Sequence, residues 1–311
     1  MAGSPSAHPR APLAAIVACL LAVYVLWGTT YYAIKVVITG FPTFFFVGTR
    51  FTVAGSLVLL WQFARGAPLP TLAQWGGAAL IGCLLLLAGN GTVALGERWV
   101  SSGAAVALIS SVPLTTAAWS CLFGERPARL EWLAMAVGTL GIGIMLLGHD
   151  LRASPLGVAV VLGGSLCWSL GTVLARRVAL PPGATGFGAE MLCAGIAGFI
   201  ISALAREPWV FSSAIRPWAA WGYLVVFGSL IGFSAFRFLV ERVSASLATS
   251  YAYVNPPVAL FVGWWLGHEE FSAQLLIGLP VVLSAVGLQT WVHTRAYAHS
   301  RVPLAAGTPG E

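Results

Sequence analysis

The chain has 311 residues, of which 58% are hydrophobic and 8% charged, with a mean hydropathy of +0.87. Soluble domains carry about 25% charged residues, so a soluble globular protein is excluded and a polytopic membrane protein is expected. The net charge of +6 is scattered through loops and helix ends rather than gathered in one face or run, which argues against nucleic acid as a partner.

A spanning helix needs about 20 largely apolar residues. Residues 1–12 read as an N-terminal tail, without the positive start, short apolar run and small-residue cleavage site of a signal peptide. Apolar runs follow at 13–35, 42–63, 74–95, 101–123, 130–147, 156–177, 187–205, 217–239, 244–266 and 273–292, predicting an all-α integral membrane protein of ten transmembrane helices. The connections are short and rich in Gly, Pro and charge, leaving no room for a soluble domain. Residues 293–311 read as a disordered cytoplasmic tail. Five cysteines, Cys19, Cys83, Cys121, Cys167 and Cys193, all lie in apolar runs with no CxxC, so they read as small core residues rather than a disulfide or zinc framework.

The chain repeats itself. ERWVSSGAAVALISSVP from Glu97 returns as ERVSASLATSYAYVNPP from Glu241, and Glu97 with Glu241, Pro113 with Pro257, Glu125 with Glu269 and Gly143 with Gly287 all pair at an offset of 144 residues. Upstream, WGTTYYAIK (Trp27 to Lys35) is echoed by WSLGTVLAR (Trp168 to Arg176) at an offset of 141. The expected units are therefore 13–147 and 156–292, five helices each. An odd number of crossings makes the second unit enter from the opposite side, so the two are inverted, as in transporters whose substrate site lies at the repeat interface.

Several chemistries are missing. The single lysine, Lys35, follows isoleucine rather than glycine, so there is no phosphate-cradling GK[ST] loop. Asp150 is the only aspartate, and no G-x-S-x-G elbow occurs. Neither an ATP-driven pump nor an enzyme is expected, and no cofactor or metal. Gly138, Gly141 and Gly143 read as close helix packing, with Ala134 and Gly138 on one face.

Tyr24, Trp27, Tyr31 and Lys35 share one quarter of the first helix, and Ser165, Trp168, Thr172 and Arg176 occupy the same angles on the sixth. Such stripes are costly against lipid and read as facing a cavity, or else as packing aromatics with snorkelling cations. On the ninth helix Ser246, Thr249, Ser250, Tyr253 and Pro257 share a face, opposite Tyr251 and Asn255. Pro256 and Pro257 leave carbonyls short of donors there, as Pro113 does for Ile109 on the fourth, through a kink that serves either structure or substrate. Arg50 lies about 12 Å into the second helix, deep enough to bind an anion or pair within the protein, or to snorkel outward. Asn90 on the third helix is a second polar candidate, or interhelical glue. Glu190 reads as interfacial, and Glu125 and Glu269 as dipole partners of the helices they precede.

These segments resemble the drug/metabolite transporter superfamily, specifically its EamA-type exporters. The likeness is carried by WGTTYYAIK, by the GER that closes the fourth helix, and above all by ERVSASLATSYAYVNPPVALFVGWWLGHEEFS, which is similar to the YedA-like subgroup. The resemblance implies two inverted five-helix EamA repeats around a central cavity, and export of small metabolites, amino-acid-like solutes or drugs across a bacterial inner membrane by alternating access. Arg237 departs from the uncharged residue expected at its site. The rival reading is a membrane enzyme or flippase acting on lipid-linked substrates. The candidate substrate-binding residues are Tyr24, Trp27, Tyr31, Arg50, Asn90, Trp168, Thr172, Ser246, Thr249, Ser250 and Tyr253. The expected partners are a small-molecule substrate and the lipid bilayer, and a homodimer is compatible with the sequence. With no pair of deep carboxylates legible, facilitated diffusion or coupling through the solute's own charge is expected.

Orientation follows from the basic residues. With the N-terminus cytoplasmic, ten Lys or Arg fall inside (Arg10, Arg65, Arg126, Arg129, Arg176, Arg177, Arg237, Arg242, Arg295, Arg301) and five outside (Lys35, Arg98, Arg152, Arg206, Arg216). A cysteine at position 150, in a background lacking the five native cysteines, should react with an impermeant maleimide only from outside the cell. Labelling only from the cytoplasmic side would reverse the assignment.

Overall fold

The computed structural model describes residues 12–124, 129–148, 154–242 and 251–300. Among them the chain is all-helical, with ten rods. They are α1 (Leu13–Val37), α2 (Thr43–Ala64), α3 (Leu72–Gly96), α4 (Ser102–Leu122), α5 (Arg129–Leu146), α6 (Pro155–Leu174), α7 (Gly183–Leu204), α8 (215–242), α9 (Tyr251–Gly267) and α10 (Ala273–Ser300). Among the described residues, seven rods, α1 to α4 and α6 to α8, are long and apolar enough to cross a bilayer. The apolar stretches of α5 and α10, Trp132–Met145 and Ala273–Ala285, are shorter. The first eight residues expected in the ninth helix span 244–251, and those before Tyr251 lie outside the described residues. The tenth helix was expected to end at 292 but continues to Ser300, since no Gly or Pro interrupts it before Pro303.

Two rods change helix type at corresponding places. In α3 the segment Cys83–Asn90 is π-helical, and in α8 so is Leu224–Ile231; both ends are displaced by the 141 residues of the upstream repeat offset. A π turn widens the helix and is found most often at functional sites. The fourth rod breaks instead. Its helix stops at Ile109 and resumes at Val112, so Pro113 occupies a first turn, where its missing N–H costs nothing. The hydroxyls of Ser110 and Ser111 donate to the Ala107 and Leu108 carbonyls at the break. Pro256 and Pro257 lie inside α9 and Pro280 inside α10.

The halves interlock. The most extensive contacts join α2 to α7 and α5 to α10, each rod to its own counterpart; α1 packs on α8 and α9, and α6 on α3 and α4. Exchanging the halves maps this set onto itself, which is the two-repeat arrangement of the sequence realised as a shared core. Lipid tails are as apolar as leucine, so burial does not drive the rods together; close van der Waals contact does. At α2 and α7 that contact is backbone to backbone: a β-carbon at Gly55 would stand 2.5 Å from the Leu192 amide nitrogen, and one at Gly198 2.9 Å from that of Gly48. At α5 and α10, one at Gly141 would stand 2.9 Å from the Val282 nitrogen. Gly138 faces Leu114, whereas Gly143 meets nothing within 4 Å and takes no part in the packing expected of it.

Gly55→Val should therefore force α2 and α7 apart, costing about 1–3 kcal/mol or more by overpacking. Gly143→Val should be close to neutral. Melting temperature and monodisperse yield in detergent check both, and equal behaviour of the two variants would contradict the contact.

Candidate functional site

Of the polar stripe of α1, Trp27 rests on α8. Trp27 is 8% exposed, and its indole Nε1 donates to the Gly228 carbonyl at 3.3 Å, inside the π-helical segment. Its ring is edge-on to Phe233 and Tyr251 and tilted over Phe236, with centroids 5.0, 5.0 and 5.1 Å away. One residue further along the same segment, the Ser229 hydroxyl accepts from Arg50 Nε at 3.0 Å. Arg50 is 3% exposed, its guanidinium 4.8 Å from the centre of the Phe51 ring; it does not snorkel. Gly228 is what admits this crowding, since a β-carbon there would stand 3.0 Å from Arg50 Nη2 and 3.1 Å from the Thr30 methyl. Trp27, Thr30 and Arg50 thus converge on Gly228 and Ser229.

A cavity of about 120 Å³ runs from Ser229 between α2, α7 and α8, lined by Val58, Phe187, Met191, Phe233 and Ser234 among others. Val58 is two turns beyond Arg50 and Ala184, also in the lining, stands at the start of α7, so the cavity extends toward the end of the bundle where α1 begins. Arg50 lies one side chain behind its inner wall. Among the described residues Arg50 hydrogen-bonds only through Nε, which leaves its Nη groups without partners.

The second stripe behaves differently. Trp168 is half-buried and rests on Gly89 in the π segment of α3, where a β-carbon would stand 2.8 Å from its ring. Each stripe tryptophan therefore sits on the π segment of the other half. Thr172 is exposed, its hydroxyl donating to the Trp168 carbonyl at 2.9 Å, and Arg176 is exposed at the helix end; neither joins a site, because α6 turns that edge outward. Asn90 closes the π segment of α3, half-buried.

On α9 the face toward α1 is the one opposite the predicted stripe. Tyr251 packs on Trp27, and Asn255, in the amide orientation that satisfies both its ends, donates to the Tyr24 and Tyr251 carbonyls at 3.2 and 3.3 Å. Tyr24 contributes its backbone to that contact. Ser246, Thr249 and Ser250 lie outside the described residues, as do the Tyr253 and Arg237 side chains.

The opposite end of the bundle, called distal here, is tied by charged groups. Glu207 accepts from the Phe44 and Phe45 amides at 3.1 and 2.9 Å and from the Ser202 hydroxyl at 2.8 Å, capping α2. Glu269 accepts from the Ser102 amide at 3.1 Å and its hydroxyl at 2.8 Å, capping α4 rather than α10, the helix it precedes, because the chain brings it against the first half. Tyr32 donates to the Leu266 carbonyl at 2.8 Å. Lys35 neither snorkels nor faces a cavity. Its Nζ donates to the backbone carbonyls of Glu97, the C-cap of α3, and of Val100 in the connection to α4, at 2.6 and 2.8 Å.

Glu97, just beyond the last helical residue of α3, has no exposed surface, and neither carboxyl oxygen has a hydrogen-bond partner. Burial pushes its carboxyl well above the usual carboxylate range, the Lys35 charge opposing and the Glu269 charge adding to the rise. Tyr31, half-buried one turn before Lys35, lies within the reach of its charge. Glu190 is buried at 7% exposure rather than interfacial, since Gly82 lets α3 cover its backbone. Glu97, Gly228 and Ser229 are absent from the sequence-derived candidates. The pairing of Glu97 with Glu241 across the repeat was the one signal for Glu97, whereas a π turn leaves no mark in hydrophobic periodicity.

Comparison with known proteins bears on the same architecture. The model of the EamA-like transporter family matches residues 13–147 and again 155–291. The chain is 41% identical over 272 residues to the uncharacterized inner membrane transporter YedA of Escherichia coli (strain K12), covering 87% of this chain and 89% of that one. It is 29% identical over 295 residues to an uncharacterized transporter of Synechocystis sp., covering 86% and 88% of the two chains. A solved crystal structure shares the fold with a TM-score of 0.65 at 19% identity, over 90% of this chain and 99% of that one.

The geometry around Trp27 is that of a packed core residue with a satisfied indole. Trp27→Ala should therefore cost about 3–5 kcal/mol and appear as lost folded protein in size-exclusion and thermal-melt measurements. Trp168→Ala, at a half-exposed position, should cost less. A Trp27→Ala protein of normal stability would show that the ring serves a ligand instead.

Proposed function

The chain belongs to the EamA-like transporter family, and on that premise we propose that it is a multi-pass inner-membrane carrier exporting small, carboxylate-bearing amphipathic metabolites, amino-acid-like solutes among them, by alternating access. The observation that supports this most is Arg50. A guanidinium at 3% exposure in a spanning helix, with Nε held by Ser229 and its Nη groups without hydrogen bonds among the described residues, is built to meet a planar anion in a bidentate fork. The aromatic rings of Phe187 and Phe233 and the Met191 side chain beside Ser229 suit an apolar side group, and Ser234 adds a hydroxyl.

The two ends of the bundle support the mechanism. Distally, Lys35, Glu207, Glu269 and Tyr32 tie rods together; on the other side the cavity reaches down from Ser229. With both termini cytoplasmic, as the basic residues favour, this is a state closed to the outside. Solute enters from the cytoplasm, displaces the Ser229 contact at Arg50, and leaves when the distal ties part. The interlocked halves suit a rocking of one against the other about the α2–α7 and α5–α10 contacts.

Metabolomic comparison of medium from cells with and without the protein supplies the solute, and uptake into everted vesicles the kinetics. For a carboxylate solute, Arg50→Gln should raise the apparent KM about 10- to 100-fold, the worth of a charge-assisted contact of about 1.5–3 kcal/mol. Arg50→Lys, a point charge without the fork, should fall between. An unchanged KM in both, at equal folded protein, would remove Arg50 from the site.

A further inference from the structure

Glu97 differs from the other carboxylates at the distal end. Glu207 accepts from the Phe44 and Phe45 amides of the opposite half and from Ser202 beside it, and Glu269 from the Ser102 and Gly103 amides and the Ser102 hydroxyl of the opposite half. Glu97 is more deeply buried than either, accepts none, and forms no ion pair among the described residues. Lys35 acts on it only through its charge, its ammonium being turned to the Glu97 and Val100 carbonyls.

We propose that Glu97 is a proton-binding site that gates the distal end, so that closure takes up one proton on its carboxyl and opening releases it. The inference rests on the carrier reading only for the direction in which the gate faces. In the closed state a carboxylate without hydrogen-bond donors or exposed surface is far less stable than the neutral acid, and the carboxyl is fully buried near α1 and the α9–α10 connection. The groups that act on it are Lys35 and Tyr31 from α1 and Glu269 from the α9–α10 connection, with Tyr251 of α9 beyond Tyr31. From α4 the first turn brings only Ser101 and Ser102, both engaged in caps, and α6 meets the end of α3 with Gly157 and Val161. When the distal ties part, water reaches the carboxyl beside the Lys35 cation, and both favour the ionised form. The O–H bond formed on closing takes its proton from the distal compartment, and the same proton returns to water when the carboxyl is hydrated again. The closed state thus binds one proton more than the open state, so closure is favoured as pH falls and lost as pH rises.

The test needs neither solute nor transport. Spin labels at Ile38→Cys on the tip of α1 and Trp99→Cys on the α3–α4 connection, in a background lacking the five native cysteines, report the distal separation of the protein in lipid nanodiscs. The expected result is a shift from a long to a short distance as pH falls, with the slope of one proton. Glu97→Gln, a neutral isostere, should hold the short distance at every pH, and Glu97→Asp should keep the transition at a displaced midpoint, which shows that the site still folds. A distance independent of pH in the parent protein, or a Glu97→Gln protein with the parent's pH dependence, overturns the proposal. So does a shift driven at fixed pH by exchanging potassium for sodium, which would make the site one for a metal cation. A normal pH response in a protein that moves no solute would leave the gate standing and remove the carrier reading instead.

Discussion

The close approach of α2 to α7 is the contact on which the rest of the structure depends. In a bilayer, association of helices gains nothing from removing apolar surface from water, so it requires surfaces that fit at backbone distance. Gly48 and Gly55 on α2 meet Gly198 and Gly188 on α7 in that way, Gly195 fits against Thr52, and Gly141 with Gly278 does the same for α5 and α10. Each pair joins a rod to its own counterpart. The interface between halves is consequently part of the core of the protein.

That exchange explains where the irregular backbone lies. The π segments of α3 and α8 are each faced by the stripe of the other half, Trp168 on Gly89 and Trp27 on Gly228. A widened turn shifts hydrogen bonds along the helix and is tolerated at membrane depth only where protein groups take up the displaced ones. The Trp27 indole does so directly. The halves are alike in this frame and unlike in what they add to it: Arg50 and Ser229 meet on the α8 segment, while the α3 segment ends in Asn90 with apolar neighbours. The asymmetry puts a buried guanidinium on one side of the pseudo-twofold and not on the other.

The distal end shows the same constraint applied to charge. Helix N-termini leave four amides unsatisfied, and two glutamates crossing from the second half each satisfy two of them, at α2 and at α4, while Lys35 serves the Glu97 and Val100 carbonyls beyond α3. A cap made by a residue from another part of the chain is also a latch, because it exists only while the two parts stay together. Glu97 is enclosed by the same closure without sharing in it, which ties its burial to the state of the latch.

Much of this was legible in one dimension. The apolar runs specify helices because hydrocarbon tolerates no unpaired backbone, and the duplication specifies two like halves because the same residues recur at constant offsets. Membership of the family follows from the same segments. Arg50 stood out for its depth in α2, and the stripe on α1 set Tyr24, Trp27, Tyr31 and Lys35 on one face, since helical periodicity fixes which residues share a face. It did not say what that face meets. That Trp27 is packed among the rings of α8 and α9, that Thr172 turns outward, that α9 offers Tyr251 and Asn255 to α1, and that Glu269 caps a helix far from it in sequence were all decided by how rods from opposite halves pack. Periodicity describes one helix at a time, and it carries no term for the neighbour. The burial of Glu97 belongs to the tertiary structure for the same reason: by composition it is one more polar residue at the end of a helix, and only the packing of rods from both halves leaves its carboxyl with no exposed surface and no hydrogen-bond donor among the described residues.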